Sequence, residues 1–428
     1  MESRPVPVSF AEAFRFWLKL GFISFGGATG QIAIMHQELV ERRRWISEKR
    51  FLHALNFCMV LPGPEATQLA TYIGWLMHRT WGGIVAGTLF VLPSVFILIT
   101  LSWIYVTYGN VPLVAGVFYG IKPAVVAIVL AAAWRIAQRA LKHPALWTLA
   151  AAAFVAIFAF DVPFPAIVLV AGIIGYAGGQ YTPRIFADSG GHGTAKTGYG
   201  PAIIDDDTPT PPHALFSWMK LAAYAGVGLG LWALVIGALA AGNGWEGTLA
   251  QMGLFFSRAA LLTFGGAYAV LPYVYQGAVE HYGWLTGPQM IDGLALGKTT
   301  PGPLIMVVAF VGYLGAGTAG ALVASFFTFL PSFVFIFAGA PFVETTHGNL
   351  KFSAPLTGIT AAVVGVIVNL ALFFAWHVLW PRGADGSFEW LSAIIGCAAF
   401  VALFRFKIGV MPVIGACAFA GLAVTLLR

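Results

Sequence analysis

From residue 14 to residue 427 the chain is one apolar stretch after another, near 14–36, 51–77, 83–107, 113–134, 145–178, 219–241, 249–275, 290–313, 319–342, 354–380, 390–404 and 408–427. Inside hydrocarbon no water satisfies a free backbone N–H or C=O, so only α-helices or closed barrels can cross it. Runs of about 20 residues suit helices, whereas a barrel needs alternating segments of about ten. These runs are uniformly apolar and rich in Ala and Leu. An all-α polytopic membrane protein is therefore expected. The overall balance agrees, because 59% hydrophobic against 9% charged residues does not describe a water-soluble globule. A polar start of 13 residues followed by a bulky apolar run predicts no cleaved leader.

Phe25-Gly26-Gly27, Trp45 and Pro62-Gly63-Pro64 recur 239 residues later as Phe264-Gly265-Gly266, Trp284 and Pro301-Gly302-Pro303. Leu92-Pro93-Ser94 and Gly120-Ile121 recur 238 residues later as Leu330-Pro331-Ser332 and Gly358-Ile359. Register held over so long a stretch marks an internal duplication. It divides the chain into a membrane repeat over 1–183, a polar linker over 184–217, and a second repeat over 218–428 that begins with one extra helix. The linker carries Gly190-Gly191, Asp205-Asp206-Asp207 and Pro209, Pro211 and Pro212, which together read as a solvated, flexible tether. Its three aspartates lack the turn glycine and distant glutamate of a calcium loop.

Glu41 to Arg50 carries five basic residues, and the equivalent Glu280 to Gln289 carries none. Cytoplasmic loops collect Lys and Arg, so the duplicated loops are expected on opposite faces. The unpaired run 219–241 supplies the odd crossing that such an inversion needs. Inverted-topology repeats hold substrate near the midplane, at interrupted helices. The interrupted segments can be read in two ways. Either each crosses the bilayer, or each is a re-entrant hairpin with FGG or PGP at its tip. Hairpins gather Arg4, Arg15, Arg79, Arg135, Arg139 and Lys142 with the five-charge loop on one face.

Proline lacks an N–H and suits the first turn of a helix, so Pro64 is expected to open one. The amides of Ala66, Thr67 and Gln68 then lack intrahelical partners and point, with the positive dipole end, at the break. Gly26 and Gly27, with Gly265 and Gly266, let the other arms approach closely. At roughly half a charge per helix start, four breaks sum to about +2, matched to a dianion. The alternative is that the breaks only kink or pack helices.

Charge inside apolar segments is expensive and nominates functional groups. Lys298 precedes the second PGP where the first half has Met59, and Glu65 follows the first PGP where the second has Leu304. Lys298, Thr299 and Thr300 are expected to contact substrate oxygens, with a snorkelling lysine as the alternative. Glu65 reads either as a proton carrier or as a structural carboxylate at a helix start, and His36 joins it as a candidate for ion coupling. Gln31, Thr67 and Gln68 supply neutral contacts. Arg42, Arg43 and Arg44 form either an anion funnel or a lipid-headgroup anchor. Lys122 reads as an interface anchor.

Several chemistries are excluded. Gly293 to Thr299 has its glycines one residue too close for a phosphate loop and lies in an apolar run. The spans hold no HExxH, histidine-rich set or paired-aspartate motif, so neither enzyme activity nor a metal or cofactor is expected. Cys58, Cys397 and Cys417 stand alone in apolar runs, as small core residues do.

Phe25-Gly26-Gly27, Glu41-Arg42-Arg43-Arg44-Trp45-Ile46-Ser47, Leu61-Pro62-Gly63-Pro64, Gln68-Leu69-Ala70, Ile73-Gly74-Trp75 and Leu92-Pro93-Ser94 resemble the chromate ion transporter family, in its long-chain, two-domain form. The resemblance runs through both repeats and is stronger in the first. It implies chromate efflux across the cytoplasmic membrane and chromate resistance. The residues alone stop at an anion transporter, with sulfate or another oxyanion, carried or conducted, as the alternative. Expected partners are the oxyanion and membrane lipid, not nucleic acid. The Gly83/Gly87, Gly116/Gly120 and Gly175/Gly179 pairs serve either a homodimer or packing within one chain.

Overall fold

The computed structural model describes residues 6–109, 111–186, 199–264, 266, 268–346, 353–383 and 386–427. Arg4, Gly190-Gly191 and Gly265 lie outside the described residues. The first half comprises α1 (Phe10–Ile23), α2 (Gly27–His36) continued by a π-helical turn (Gln37–Arg42), α3 (Glu48–Val60), α4 (Glu65–Tyr108), α5 (Pro112–Ala140), α6 (Pro144–Phe160), α7 (Phe164–Tyr181) and α8 (Pro183–Phe186). The second comprises α9 (Trp218–Asn243), α10 (Thr248–Leu261), α11 (Leu271–Tyr275) continued by a π-helical turn (Gln276–His281), α12 (Gly287–Thr299), α13 (Val307–Thr346), α14 (Ser353–Leu379), α15 (Trp390–Phe404) and α16 (Val410–Leu427). The protein is thus all-α, and seven of its described helices are long and apolar enough to cross a membrane, with α6 and α15 shorter but apolar.

The duplication reaches into fine structure. The π-helical turns fall at equivalent positions, as do Ser47 and Thr286, whose side chains cap α3 and α12 by accepting from the amides of Arg50 and Gln289. Arg44 and Gly283 both take left-handed backbone, at φ 53° and 62°. α4 and α13 each reverse at matched points, His78-Arg79 and Ala316-Gly317.

Those reversals make hairpins. α1 has 14 residues and is therefore about 21 Å long, short of a hydrocarbon core of about 30 Å. The chain turns at residues 24–26 and comes back, because Arg43 lies 3.5 Å from Glu12 and 5.0 Å above the Phe16 ring. α3 leads to the PGP tip and the first part of α4 (α4a, 65–77) returns, so that His78 sits 2.9 Å from the Val8 carbonyl. After the reversal the remainder (α4b, 80–108) runs antiparallel to α4a. A Cβ added at Gly74 would lie 2.5 Å from that of Ala86, so glycine permits the contact. α13 repeats the pattern, with its main span (α13b, 318–346) following the Gly317 reversal.

The halves exchange helices. α5 packs on α16, and α14 packs on α7. A Cβ at Gly120 would lie 2.8 Å from the Gly421 Cα, and one at Gly358 would lie 2.9 Å from the Gly175 Cα. α4b and α13b also touch, with Gly83 against Phe337 and Gly87 against Phe333, an antiparallel run. The Gly83/Gly87, Gly116/Gly120 and Gly175/Gly179 pairs all pack within the chain.

Two expectations change. The apolar run 145–178 is two helices, α6 and α7, because Asp161 adopts φ 49° and Pro163 cannot continue the ladder. Residues 199–217 of the linker form a packed strap. Ile204 pairs with Ile46, with Ile204 accepting from the Ser47 amide at 2.9 Å and Arg44 accepting from the Ile203 amide at 3.0 Å. Ser47 donates to Asp206 at 2.6 Å, Arg50 donates to the Thr208 carbonyl, and Ala202, Ile204 and Ala214 are buried. Its extended backbone pairs with loop groups that would otherwise be unsatisfied, which composition does not reveal.

Candidate functional site

The four tips meet. Gly63 donates its amide to the Thr263 carbonyl at 2.7 Å, and Gly302 donates to the Ser24 carbonyl at 2.8 Å. Thr263 and Ser24 are equivalent positions, so each PGP turn docks on the residue preceding FGG in the other half. Such exchanged contacts are the mark of a two-fold relation. Gly63 at φ 127° and Gly302 at φ 99° occupy backbone that favours glycine. A Cβ there would stand 2.5 Å from the Ser332 hydroxyl and 2.7 Å from the Ser94 hydroxyl, respectively.

Polar atoms without partners gather at these turns. The Gln68 amide donates to the Pro62 carbonyl at 2.8 Å and the Gln31 amide donates to the Ser24 carbonyl at 3.2 Å. Among the described residues the Oε1 atoms of Gln31 and Gln68 and the hydroxyls of Thr67, Ser94 and Ser332 are buried with no hydrogen-bond partner. An unmet buried polar group costs about 1–3 kcal/mol, so these atoms at the helix breaks are suited to bind ordered water or a polar ligand. Ser94 and Ser332 escaped the sequence reading as site residues, although the recurrence of Leu-Pro-Ser in register was the signal that marks them.

The helix starts are less uniform than the sequence predicts. α4 begins at Glu65, and the Gln68 amide already bonds to the Pro64 carbonyl at 3.1 Å. The amides left free by helix geometry are therefore those of Glu65, Ala66 and Thr67. Pro303 leads instead into a tight 3₁₀ turn, Leu304–Met306, with the Met306 amide on the Pro303 carbonyl at 3.0 Å. Gly26 and Gly27 turn the chain into α2 at φ 93° and 70°. In the second half Gly266, at φ 102°, is followed by turns before α11 starts at Leu271. Four equal helix starts are not present.

Lys298 donates to the Tyr268 hydroxyl and stands 4.1 Å over its ring. Thr299 and Thr300 donate to the carbonyls of Leu296 and Gly297 at 2.9 and 3.1 Å, within their own helix. Pro301 sits at the turn with them. Glu65 is half-buried at the start of α4, and among the described residues no ion pair joins it to Lys298. His36 lies at the base of the first hairpin, away from the tip, between Glu41 at 3.2 Å and Glu48 at 3.3 Å. Arg42 pairs with Glu38 at 2.6 Å, and Arg43 ties α2 to α1 through Glu12. Arg44 holds the left-handed turn.

Lys122 departs from the interface-anchor reading, because it lies 3.3 Å from Asp292, a carboxylate that is 2% exposed. Neither Asp292 nor Glu344 stood out in sequence, since their partners come from the other half.

The fold and these tips define a duplicated, polytopic helical membrane protein whose broken helices meet at a polar centre. The chain belongs to the chromate transporter family, whose model matches residues 11–176 and 250–422. It is 32% identical to a chromate transport protein of Pseudomonas aeruginosa over 426 residues, covering 98% of this chain and 94% of that one. It is 30% identical to a chromate transport protein of Cupriavidus metallidurans over 84% of this chain and 81% of that one. It is also 30% identical to a probable chromate transport protein of Synechococcus elongatus, over 84% and 83% respectively. The relatives are named as transport proteins, which indicates a transporter rather than an enzyme. No solved structure matches the chain.

Proposed function

We propose that this protein exports chromate, or a tetrahedral oxyanion like it, across the cytoplasmic membrane by alternating access, and so confers chromate resistance. The observation that carries the reading is the pair of exchanged PGP turns with unpartnered hydroxyls of Thr67, Ser94 and Ser332 beside them. Hydroxyls and free amides are donors, and an oxyanion presents only acceptors. Lys298 adds a cation within the same tip region.

The halves are read as inverted repeats over 1–183 and 218–428, linked by 184–217. In support, α4b and α13b are equivalent yet run antiparallel in contact. An axis relating them is perpendicular to the helices and hence in the membrane plane. The FGG and PGP hairpins are then re-entrant. The strap pairs with the Arg42, Arg43 and Arg44 loop, and Arg79 lies near the strap residue His213, so we read that basic face as cytoplasmic. Outward movement of a dianion across an inside-negative membrane gains about 4.6 kcal/mol per 100 mV, so the potential can drive export without nucleotide, with coupling to an ion gradient as the alternative.

Radiolabelled chromate and sulfate uptake into inverted vesicles under an imposed potential tests this. Saturable chromate uptake that falls at least tenfold in Thr67→Val and Lys298→Met is expected, with Glu65→Gln changing the pH dependence of the rate. Uptake of neither anion above protein-free vesicles rejects the reading. Non-saturating flux makes the protein a channel.

A further inference from the structure

We infer that two buried ion-pair clusters, Arg50–Glu344–Tyr72 and Lys122–Asp292–Tyr105, are the two gates of the transport path, one at each mouth. The inference rests on the alternating-access reading above.

In the first cluster Arg50, on α3, lies 3.6 Å from Glu344 on α13b, which also accepts from the Tyr72 hydroxyl on α4a. In the second, Asp292, on α12, lies 3.3 Å from Lys122 on α5 and accepts from the Tyr105 hydroxyl on α4b at 2.9 Å. Both carboxylates are buried. Each cluster joins a PGP-bearing hairpin of one half to a spanning helix of the other half. The ion pairs at Arg42 and Arg43 stay within the first half and join nothing across.

The clusters occupy equivalent ground. His53 of α3 reaches the Val343 carbonyl of α13b at 3.4 Å. The positions equivalent to His53 and Val343 are Asp292 and Tyr105, which are themselves bonded. The same pair of positions is thus in contact twice, with the halves exchanged. α3 runs from Arg50 to the first PGP tip and α12 runs from Asp292 to the second, so each cluster lies at the base of a tip-bearing hairpin.

A buried carboxylate stripped of its cation is strongly unfavourable, so each bridge holds its hairpin against the opposite half. Neither bridge is saturated. Among the described residues, one nitrogen of Arg50 and one oxygen of Asp292 have no hydrogen-bond partner. A dianion entering at either mouth competes with the carboxylate for Arg50 or Lys122. Displacing the carboxylate frees the hairpin, which couples opening to the arrival of the substrate. Both bridges are formed in this structure.

The native Cys58 is a built-in reporter, since it is fully buried on α3 between Arg50 and the tip. Its equivalent is Gly297 on α12, where an added Cβ meets nothing closer than 3.6 Å. Cys397→Ala and Cys417→Ala leave Cys58 alone, and a matched chain carries Cys58→Ala with Gly297→Cys. Both are labelled without substrate by a membrane-impermeant maleimide from each side of sealed vesicles. Glu344→Gln is expected to raise Cys58 labelling at least tenfold from the strap-bearing face and to leave the Gly297→Cys reporter unchanged. Asp292→Asn and Lys122→Met are expected to do the converse from the opposite face. Labelling that does not move, or that rises at both reporters with either variant, overturns the gates. Sided labelling with no chromate uptake in the parent chain would keep the gates and reject the substrate.

Discussion

Gly63 and Gly302 carry two constraints at once, backbone that disfavours a side chain and a serine hydroxyl where a Cβ would go. Gly63→Ala and Gly302→Ala should each lose about 1–3 kcal/mol of stability, with transport lost beyond what the reduced amount of folded protein explains. Thermal unfolding in detergent beside vesicle uptake measures both. The unpartnered hydroxyls predict the opposite split. Thr67→Val, Ser94→Ala and Ser332→Ala remove an unmet buried polar group, so thermal stability should hold or rise while uptake falls. A parallel fall in both would make these hydroxyls structural. The glycines were legible in the chain because their motif recurs. The serines' motif recurs as well, but nothing local says that Ser332 faces Gly63 or that Ser94 faces Gly302.

Within single elements the reversals are the informative places. Arg79 and Gly317 adopt nearly the same backbone, φ 57° with ψ −159° and φ 61° with ψ −152°. That region is essentially reserved for glycine and costs other residues about 1–3 kcal/mol. Arg79→Gly should therefore raise the unfolding midpoint despite losing a charge, and Gly317→Ala should lower it. Space is not the cause at Gly317, where an added Cβ meets nothing within 4 Å. The strap offers a pH test. His213 meets the Trp75 carbonyl at 3.0 Å, and burial, with Arg79 and Lys220 nearby, holds its imidazole below the ordinary value. A histidine with a depressed pKa contributes fully above its unfolded value, near 6.5. Its contribution is lost as the pH falls below that. Protease cleavage within residues 199–217 should rise as the pH drops from 7 towards 5, and the dependence should vanish in His213→Gln. The hydrophobic runs broke at 78–82 and 314–318, where the reversals fall, but left crossing and re-entrant readings both open, since an apolar half-helix and an apolar span have the same composition.

At the scale of the molecule, the two halves are interlocked rather than adjacent. α5 relies on α16 and α14 relies on α7, each through a glycine facing a glycine. Gly120→Leu and Gly358→Leu, at equivalent positions, should be about equally damaging, and size-exclusion profiles of fluorescent fusions should show both as aggregated. Folding of either variant at the parent level would mean that the interlock is loose. Sequence by itself determined that the chain is helical and membrane-embedded, because hydrocarbon leaves an unpaired backbone no other choice, and that it is a duplication broken at FGG and PGP, because register is a property of order along the chain. Which broken ends face each other, which serines line them, and which carboxylates pair across the halves were decided by tertiary structure alone. Those contacts join residues far apart in sequence, and hydrogen bonds and ion pairs depend on distance in space.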